Sequence, residues 1–239
     1  MGVRAHGKHL LVDFDHGHSL HSHLGMYGSW HGYAPGERWR RPARQAGIEL
    51  HLANRIFVCF NPQRVSWAAT GTLAERDLTG TLGPDLSLGD VPAGAIAGRA
   101  RRHGPRHLLV DVLLDQRVAA GIGNAYKSEL LFLRRLRPDA CVGDIDDREL
   151  GELYRLAGEL IRANLGGGSR TTQFLAERAD RMWVYGRYDE PCLRCGAPIR
   201  MVRLGENRRS TYWCPACQGA SELAGEVGCG APTACPRVR

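Results

Sequence analysis

Two Cys-x-x-Cys pairs separated by eighteen residues, Cys192/Cys195 and Cys214/Cys217, constrain this chain more tightly than any other feature of its sequence. The spacing is that of a four-thiolate structural zinc site, in which each pair forms one knuckle and the loop between them brings the knuckles together around a tetrahedral ion. One structural Zn2+ held by these four cysteines is therefore predicted. Between the pairs, Ile199 to Leu204 and Arg208 to Trp213 are strand-like, and Gly205-Glu206-Asn207 has turn chemistry, so a β-hairpin is expected. Six arginines against three acidic residues lie from Arg187 to Cys217. That face is either a solvated surface on a folding staple or a nucleic-acid contact, and the surplus of positive charge favours the second.

Charge over the whole chain points the same way. A net charge of +7 over 239 residues and a pI near 9.2 favour an acidic partner, with nucleic acid the commonest. No apolar run approaches the length needed to span a bilayer, and Met1 to Leu11 lacks the apolar centre of a signal peptide. Cys59, Cys141, Cys229 and Cys235 show no disulfide rhythm, which suits a reducing cytoplasm.

In chain order, Leu10, Val12 and Phe14 mark a strand, the run at 15–18 a turn, and 48–52 with 55–60 a second strand pair joined at Ala53-Asn54. The first part is thus expected to be a partial antiparallel β-sandwich over 1–83. Pro84, Gly89, Pro92 and Gly94 punctuate a stretch of low periodicity, giving a linker over 84–98. From Pro105, placed in the first turn of a helix, the period becomes helical. Gly121-Ile122-Gly123 interrupts it, and Asn124 is expected to cap a helix that Arg137-Pro138 stops. Asp146 and Glu149 have capping-box spacing for a further helix, with an apolar face from Leu150 to Ile161 ended by the glycines at 166–168. The fold class is α+β and multidomain: the sandwich, a helical domain over 99–185, a zinc hairpin over 186–218 and a disordered tail over 219–239.

Among residues able to carry chemistry, seven of the ten histidines fall between His6 and His31. His21 and His23 share one side of a strand, but no carboxylate stands at ligand spacing, and polar or packing roles are favoured over metal. Arginines at 99–106 and at 134–137 flank the first helices as a solvated face or as a phosphate surface. The run GIGN at 121–124 is either an interhelical packing turn or a backbone that approaches a phosphate at a helix start.

With these residues in view, the chain resembles a known family. VAAGIGNAYKSELLF at 118–132 is similar to the helix-two-turn-helix of the formamidopyrimidine-DNA glycosylase and endonuclease VIII family of base-excision repair enzymes. CLRCG with RSTYWCPACQ at 209–218 resembles the zinc finger of those proteins, and GKHLLVDF with LHSHLGMYGSW at 7–30 resembles their β-domain. The resemblance spans 3–218 and leans to the bacterial endonuclease VIII-like branch. It implies a DNA glycosylase with abasic-site lyase activity on oxidised bases, pyrimidines in that branch, acting as a monomer on damaged or abasic double-stranded DNA at the bacterial nucleoid.

The resemblance also assigns roles. Lys8 would contact phosphate beside the lesion and assist the lyase step, where a cation stabilises a departing phosphate. Asn124 would bind backbone phosphate, with Lys127 of the same helix in the DNA-binding set. Arg209 would grip phosphates around the extruded nucleotide and assist the second elimination. Met26, Arg64 and Val65 would enter the gap left by a flipped-out base, with Val65 standing where an aromatic is common. Core packing is the alternative for Met26 and Val65. One departure stands out: the family attacks the sugar C1′ with an N-terminal proline amine beside a glutamate, whereas Gly2 and Val3 follow Met1 here. A normal gene read from an internal start is one expectation, with an open sheet edge as its consequence; a catalytically inactive damaged-DNA-binding protein is the other.

Overall fold

A computed structural model describes residues 2–6, 8–25, 27–71, 81–89, 91–166, 168–174, 181–219 and 223. The chain divides into two compact units, Met1–Thr81 and Leu82–Arg239.

The first unit is built from β1 (Gly2–His6), β2 (His9–Asp13), β3 (His18–His23), β4 (Ser29–Tyr33), β5 (Ala46–His51), β6 (Ile56–Phe60) and β7 (Arg64–Ala69). They form two antiparallel sheets, ordered β1-β2-β3-β7 and β4-β6-β5. Tight turns set the register: Phe14 N–H donates to His18 O at 2.8 Å with Gly17 at φ +78 between them, a left-handed conformation that glycine adopts without strain. Leu52 N–H donates to Arg55 O around the expected Ala53-Asn54 turn. Alternation along β5, with Ile48 and Leu50 half-buried and Glu49 and His51 exposed, is the period-two pattern of a one-sided strand. Leu11, Val12 and Leu20 are buried in one sheet, and Tyr33, Val58 and Phe60 in the other. β1 and β7 are the outer strands of the four-stranded sheet, with Val3 63% and Trp67 53% exposed.

The second unit holds α1 (Ala93–Arg101), α2 (Leu109–Leu114), α3 (Asn124–Leu133), α4 (Asp147–Arg162), the hairpin β8 (Arg200–Leu204) and β9 (Arg209–Trp213), and the short α5 (Pro215–Gln218). α4 is amphipathic: Leu150, Leu153, Tyr154, Ala157, Leu160 and Ile161 line its buried face, and Asp146 caps it by accepting from Glu149 N–H at 2.7 Å. Glu149 does not reciprocate, because its carboxylate forms a two-point pair with Arg134 at 2.8 and 2.7 Å. α3 is the central helix, with every residue from Ala125 to Phe132 buried. A helix enclosed all round is ordinarily apolar; this one carries Lys127, Ser128 and Glu129 inside.

Four expectations are corrected. The stretch 84–98 is not a linker: Asp85 bridges Ala120, and α1 buries Ile96, Ala97 and Ala100. Its small residues hide the helical stripe while allowing close packing on α4. Pro105 lies before α2, in a turn whose carbonyl accepts from Gly143 N–H. α4 ends at Arg162 rather than at the glycines that follow. Gly123, not Asn124, is the N-cap of α3, because the Asn124 amide is committed elsewhere. The tail expected from 219 lies outside the described residues apart from 219 and 223.

Leu130 is completely buried in α3 against the helical core. Leu130→Ala is expected to destabilise this unit by about 2–5 kcal/mol through lost contacts and an unfilled cavity, measured as a lower urea midpoint at unchanged slope; an unchanged midpoint would contradict this packing.

Candidate nucleic-acid interface

The zinc knuckles are preformed. Cys192 and Cys217 Sγ lie 3.9 Å apart, Cys195 and Cys214 3.4 Å, and Cys195 and Cys217 3.5 Å, with all four ligand atoms within 4.8 Å of one another. A tetrahedron with Zn–S bonds of roughly 2.3 Å places its sulfurs about 3.8 Å apart, so the donors fit a single Zn2+, which is structural and closed. Arg194 N–H donates to Cys192 Sγ at 3.4 Å. The Arg194 guanidinium lies over Phe132 of α3 at 4.6 Å and over Trp183 at 5.1 Å, which fastens the first knuckle to the helical core by cation–π contact. The second knuckle is tied through Gln218, which accepts from Cys214 N–H at 2.9 Å and donates to Leu136 O at 2.7 Å. Cys59 and Cys141 are buried thiols, and burial pushes Cys59 up to about 11, the state of an inert cysteine.

The hairpin brings Arg209 to α3. Asn124 Nδ2 donates to Ser210 Oγ at 3.0 Å. Lys127 Nζ donates to Asn124 Oδ1 at 2.8 Å, to Ser210 O at 3.1 Å and to Thr211 Oγ1 at 2.8 Å. Ser128 Oγ accepts from Tyr212 N–H at 3.2 Å. The next residue, Glu129, accepts from Trp183, Val184 and Tyr185 N–H at 2.9, 2.8 and 2.8 Å and from the Thr172 hydroxyl. At the hairpin tip, Asp111 Oδ1 accepts from Glu206 N–H at 3.1 Å. Gly205 there has φ +77, and a Cβ on it would lie 2.1 Å from Asp111 Oδ1, so only glycine fits. Arg209 itself is exposed at the start of β9.

Lys127 is corrected as a DNA-contacting residue. Its side chain is wholly buried, and its three N–H donors face the three acceptors named above, the full donor capacity of an ammonium. Burial lowers it to about 7, with Asp111 opposing the shift and Arg209 reinforcing it. A cation so enclosed joins protein segments instead of meeting phosphate.

GIGN needs its first glycine. Gly121 has φ +121, and a Cβ there would lie 3.0 Å from Ile161 Cδ1; this is the packing explanation. The helix opening stands with it: the first bond of α3 runs from Lys127 N–H to Gly123 O, which leaves the amides of the preceding turn without intrahelical acceptors.

In the first unit, Lys8 and Arg64 meet at one end of the four-stranded sheet. Lys8 lies between β1 and β2, His9 pairs with His23, and His23 pairs with Arg64. Lys8 and Arg64 are both exposed, and both act electrostatically on His23. His9 stacks on His21 at 5.0 Å and on His23 at 4.7 Å between ring centroids. His9 Nδ1 lies 2.8 Å from His21 Nε2, and His21 Nδ1 lies 3.2 Å from Ser66 Oγ. These contacts make the histidines a packed polar stack. Val65 is 42% exposed but follows Arg64 on a strand and so faces the other side of the sheet. Met26 lies outside the described residues. Gln63 was not singled out from the sequence: its N–H donates to His23 O, and a Cβ on Gly25 would lie 2.5 Å from Gln63 Oε1. Ser210, Thr211, Ser128 and Glu129 are likewise absent from the sequence-derived set. The one signal for Ser128 and Glu129 was a Lys-Ser-Glu run inside a helix with a long apolar stretch.

Three family models match the chain in order: the formamidopyrimidine-DNA glycosylase N-terminal domain over 1–66, its H2TH domain over 82–175, and the zinc finger found in FPG and IleRS over 189–219. The chain is 41% identical over 221 residues to "Probable endonuclease 8 2" of Streptomyces coelicolor, covering 91% of this chain and 78% of that protein. It is 37% identical to "DNA-(apurinic or apyrimidinic site) lyase Nei2" of Mycolicibacterium smegmatis, covering 92% and 82%. Among solved structures, the MutM (Fpg) protein of Thermus thermophilus superposes with a TM-score of 0.75 at 28% identity, covering 92% of this chain and 82% of that one. No helix among the described residues is long and apolar enough to cross a membrane.

The histidine stack makes the first unit acid-sensitive. Burial first, then the neighbouring imidazoles of His23, His21 and His6 and the Arg64 guanidinium, lower His9 to about 4; burial, with Arg64 beside His21 and Lys8 beside His23, also lowers His21 and His23. Their folded values lie below the ordinary 6.5, so the unfolded chain binds more protons, and stability present above pH 6.5 is lost as pH falls toward 4. Asp13, which Arg4 holds down at about 2, titrates below this window. The urea midpoint of this unit is expected to fall between pH 7 and 5 and to fall less in His9→Gln; a flat wild-type midpoint across that range would contradict the stack.

Proposed function

The chain belongs to the formamidopyrimidine-DNA glycosylase and endonuclease VIII family, and on that basis we propose that it serves base-excision repair as a DNA glycosylase and abasic-site lyase on oxidised bases in duplex DNA. The observation that carries this reading is the junction of α3 and β9, which sets Asn124 beside the strand that bears Arg209. An amide nitrogen has two hydrogens. With one of those on Asn124 given to Ser210, the other can be donated to a phosphate oxygen. Arg209 supplies a planar fork whose geometry matches phosphate. Together they supply a neutral donor and a cation from the two elements that this junction joins.

In the first unit, Lys8 and Arg64 form a second cationic edge. The resemblance assigns the nucleophile to an N-terminal proline amine that attacks the sugar C1′ and expels the base to leave an iminium, from which loss of a C2′ proton eliminates the 3′ phosphate; none of residues 1–3 is that proline. Cations contribute to that last step by stabilising the departing phosphate oxygen. Lys8 and Arg209 are assigned to it, and Arg64 and Met26 to the gap left by the extruded nucleotide, whereas Val65 faces the opposite side of β7 from Arg64. Oxidised pyrimidines are the assigned lesions, following the resemblance to the endonuclease VIII-like branch. The protein acts as a monomer on nucleoid DNA in the cytoplasm.

Arg209→Ala is expected to weaken binding to an abasic-site duplex about tenfold, the cost of a charge-assisted contact, and to reduce the slope of log affinity against log salt by about one. Unchanged affinity and slope would remove Arg209 from the interface. Borohydride treatment of the chain with the same duplex separates the two readings: a covalent adduct would sink damaged-DNA binding alone, and tight binding without an adduct would sink the lyase reading for this chain.

A further inference from the structure

A buried ammonium linking two phosphate-directed groups is the feature that family membership does not explain. Asn124 has a side-chain amide whose two ends differ chemically: nitrogen donates and oxygen accepts. Only the nitrogen end suits a phosphate oxygen. Which end faces outward depends on what surrounds the amide. Here Lys127 Nζ donates to Oδ1 at 2.8 Å, and Ser210 Oγ accepts from Nδ2 at 3.0 Å. A reversed amide would set its N–H2 against the ammonium and lose the bond to Lys127. The same ammonium reaches Ser210 O and Thr211 Oγ1, the two residues that follow Arg209 on β9.

We propose that Lys127 is a positioning residue: its buried ammonium fixes the Asn124 amide with nitrogen available to phosphate and ties it to the Arg209 strand, so that both groups grip DNA as one clamp. Lys127 touches no DNA in this account. A positive charge without solvent is costly unless every donor is matched, and all three donors are. Ser128 adds a parallel tie one residue on, through Tyr212 N–H. The tie at Asn124 is the one that bears on phosphate, because Asn124 alone among these partners opens α3. This inference rests on the phosphate role proposed for Asn124.

Binding of an abasic-site duplex by the zinc-loaded full chain tests both. Asn124→Ala is expected to weaken affinity by about tenfold, the range of a hydrogen bond to a charged group. Lys127→Met, which keeps the length and removes the charge, is expected to lose a similar factor while retaining zinc. Its salt slope should equal that of wild type, because no phosphate contact is removed. Combining Lys127→Met with Asn124→Ala should cost no more than Asn124→Ala alone, since one change acts through the other. Ser210→Ala, at a half-buried position, removes the amide's second partner; about a threefold loss, absent in the Asn124→Ala background, is expected, and this variant decides the matter if Lys127→Met does not fold.

Additive losses, or no loss with the Asn124→Ala effect intact, would overturn the positioning role alone. A slope reduced by about one in Lys127→Met would also overturn it, because Lys127 would then be meeting phosphate itself. An Asn124→Ala variant that binds as wild type would instead refute the phosphate role of Asn124 and the inference with it.

Discussion

Three consecutive polar side chains inside α3 hold the second unit together. Lys127 reaches Asn124, Ser210 and Thr211, Ser128 receives Tyr212 N–H, and Glu129 gathers three backbone N–H groups at 183–185 and the Thr172 hydroxyl. Each would be costly to bury alone. Satisfied together, they turn that cost into specificity: the hairpin has one register against the helix, and the 183–185 segment one path. Apolar packing supplies much of the stability around them, with Leu130, Leu131 and Phe132 continuing the helix into the core. Zinc, held only by the hairpin ends and knuckles, then closes a structure whose middle is already pinned.

The first unit solves a different problem with the same residue classes. Its sheet brings Lys8, His23 and Arg64 together across three strands, and the cations there help keep the imidazoles of His9, His21 and His23 neutral near pH 7. An approaching phosphate would reverse that influence, since a nearby negative charge favours the protonated ring. Cation placement and histidine burial at this sheet end are therefore one electrostatic arrangement.

What was legible in the sequence follows from how local each feature is. The zinc hairpin was legible almost to the residue, because ligand spacing and turn chemistry are properties of short segments: the expected strands and the observed Arg200–Leu204 and Arg209–Trp213 differ by one residue each. The Asp146 cap was legible for the same reason. α1 was not, because Ala and Gly carry little hydrophobic contrast, and its burial is decided by α4 far along the chain. Asn124 reads as a cap because a cap and a tertiary partner use the same amide, and the sequence does not display Ser210 beside it. Lys127 reads as a surface cation; only the fold reveals that two of its three acceptors lie 83 and 84 positions away.

Amide hydrogen exchange on the zinc-loaded chain tests most directly whether α3 and the hairpin form one body. If the buried polar run pins them, the N–H groups of Val184, Tyr185 and Tyr212 open with the same free energy as those of Leu130 and Leu131 within α3. Exchange at Tyr212 and Val184 about a hundredfold faster than at Leu130 would mean that the hairpin opens independently of the helix, and would contradict the account.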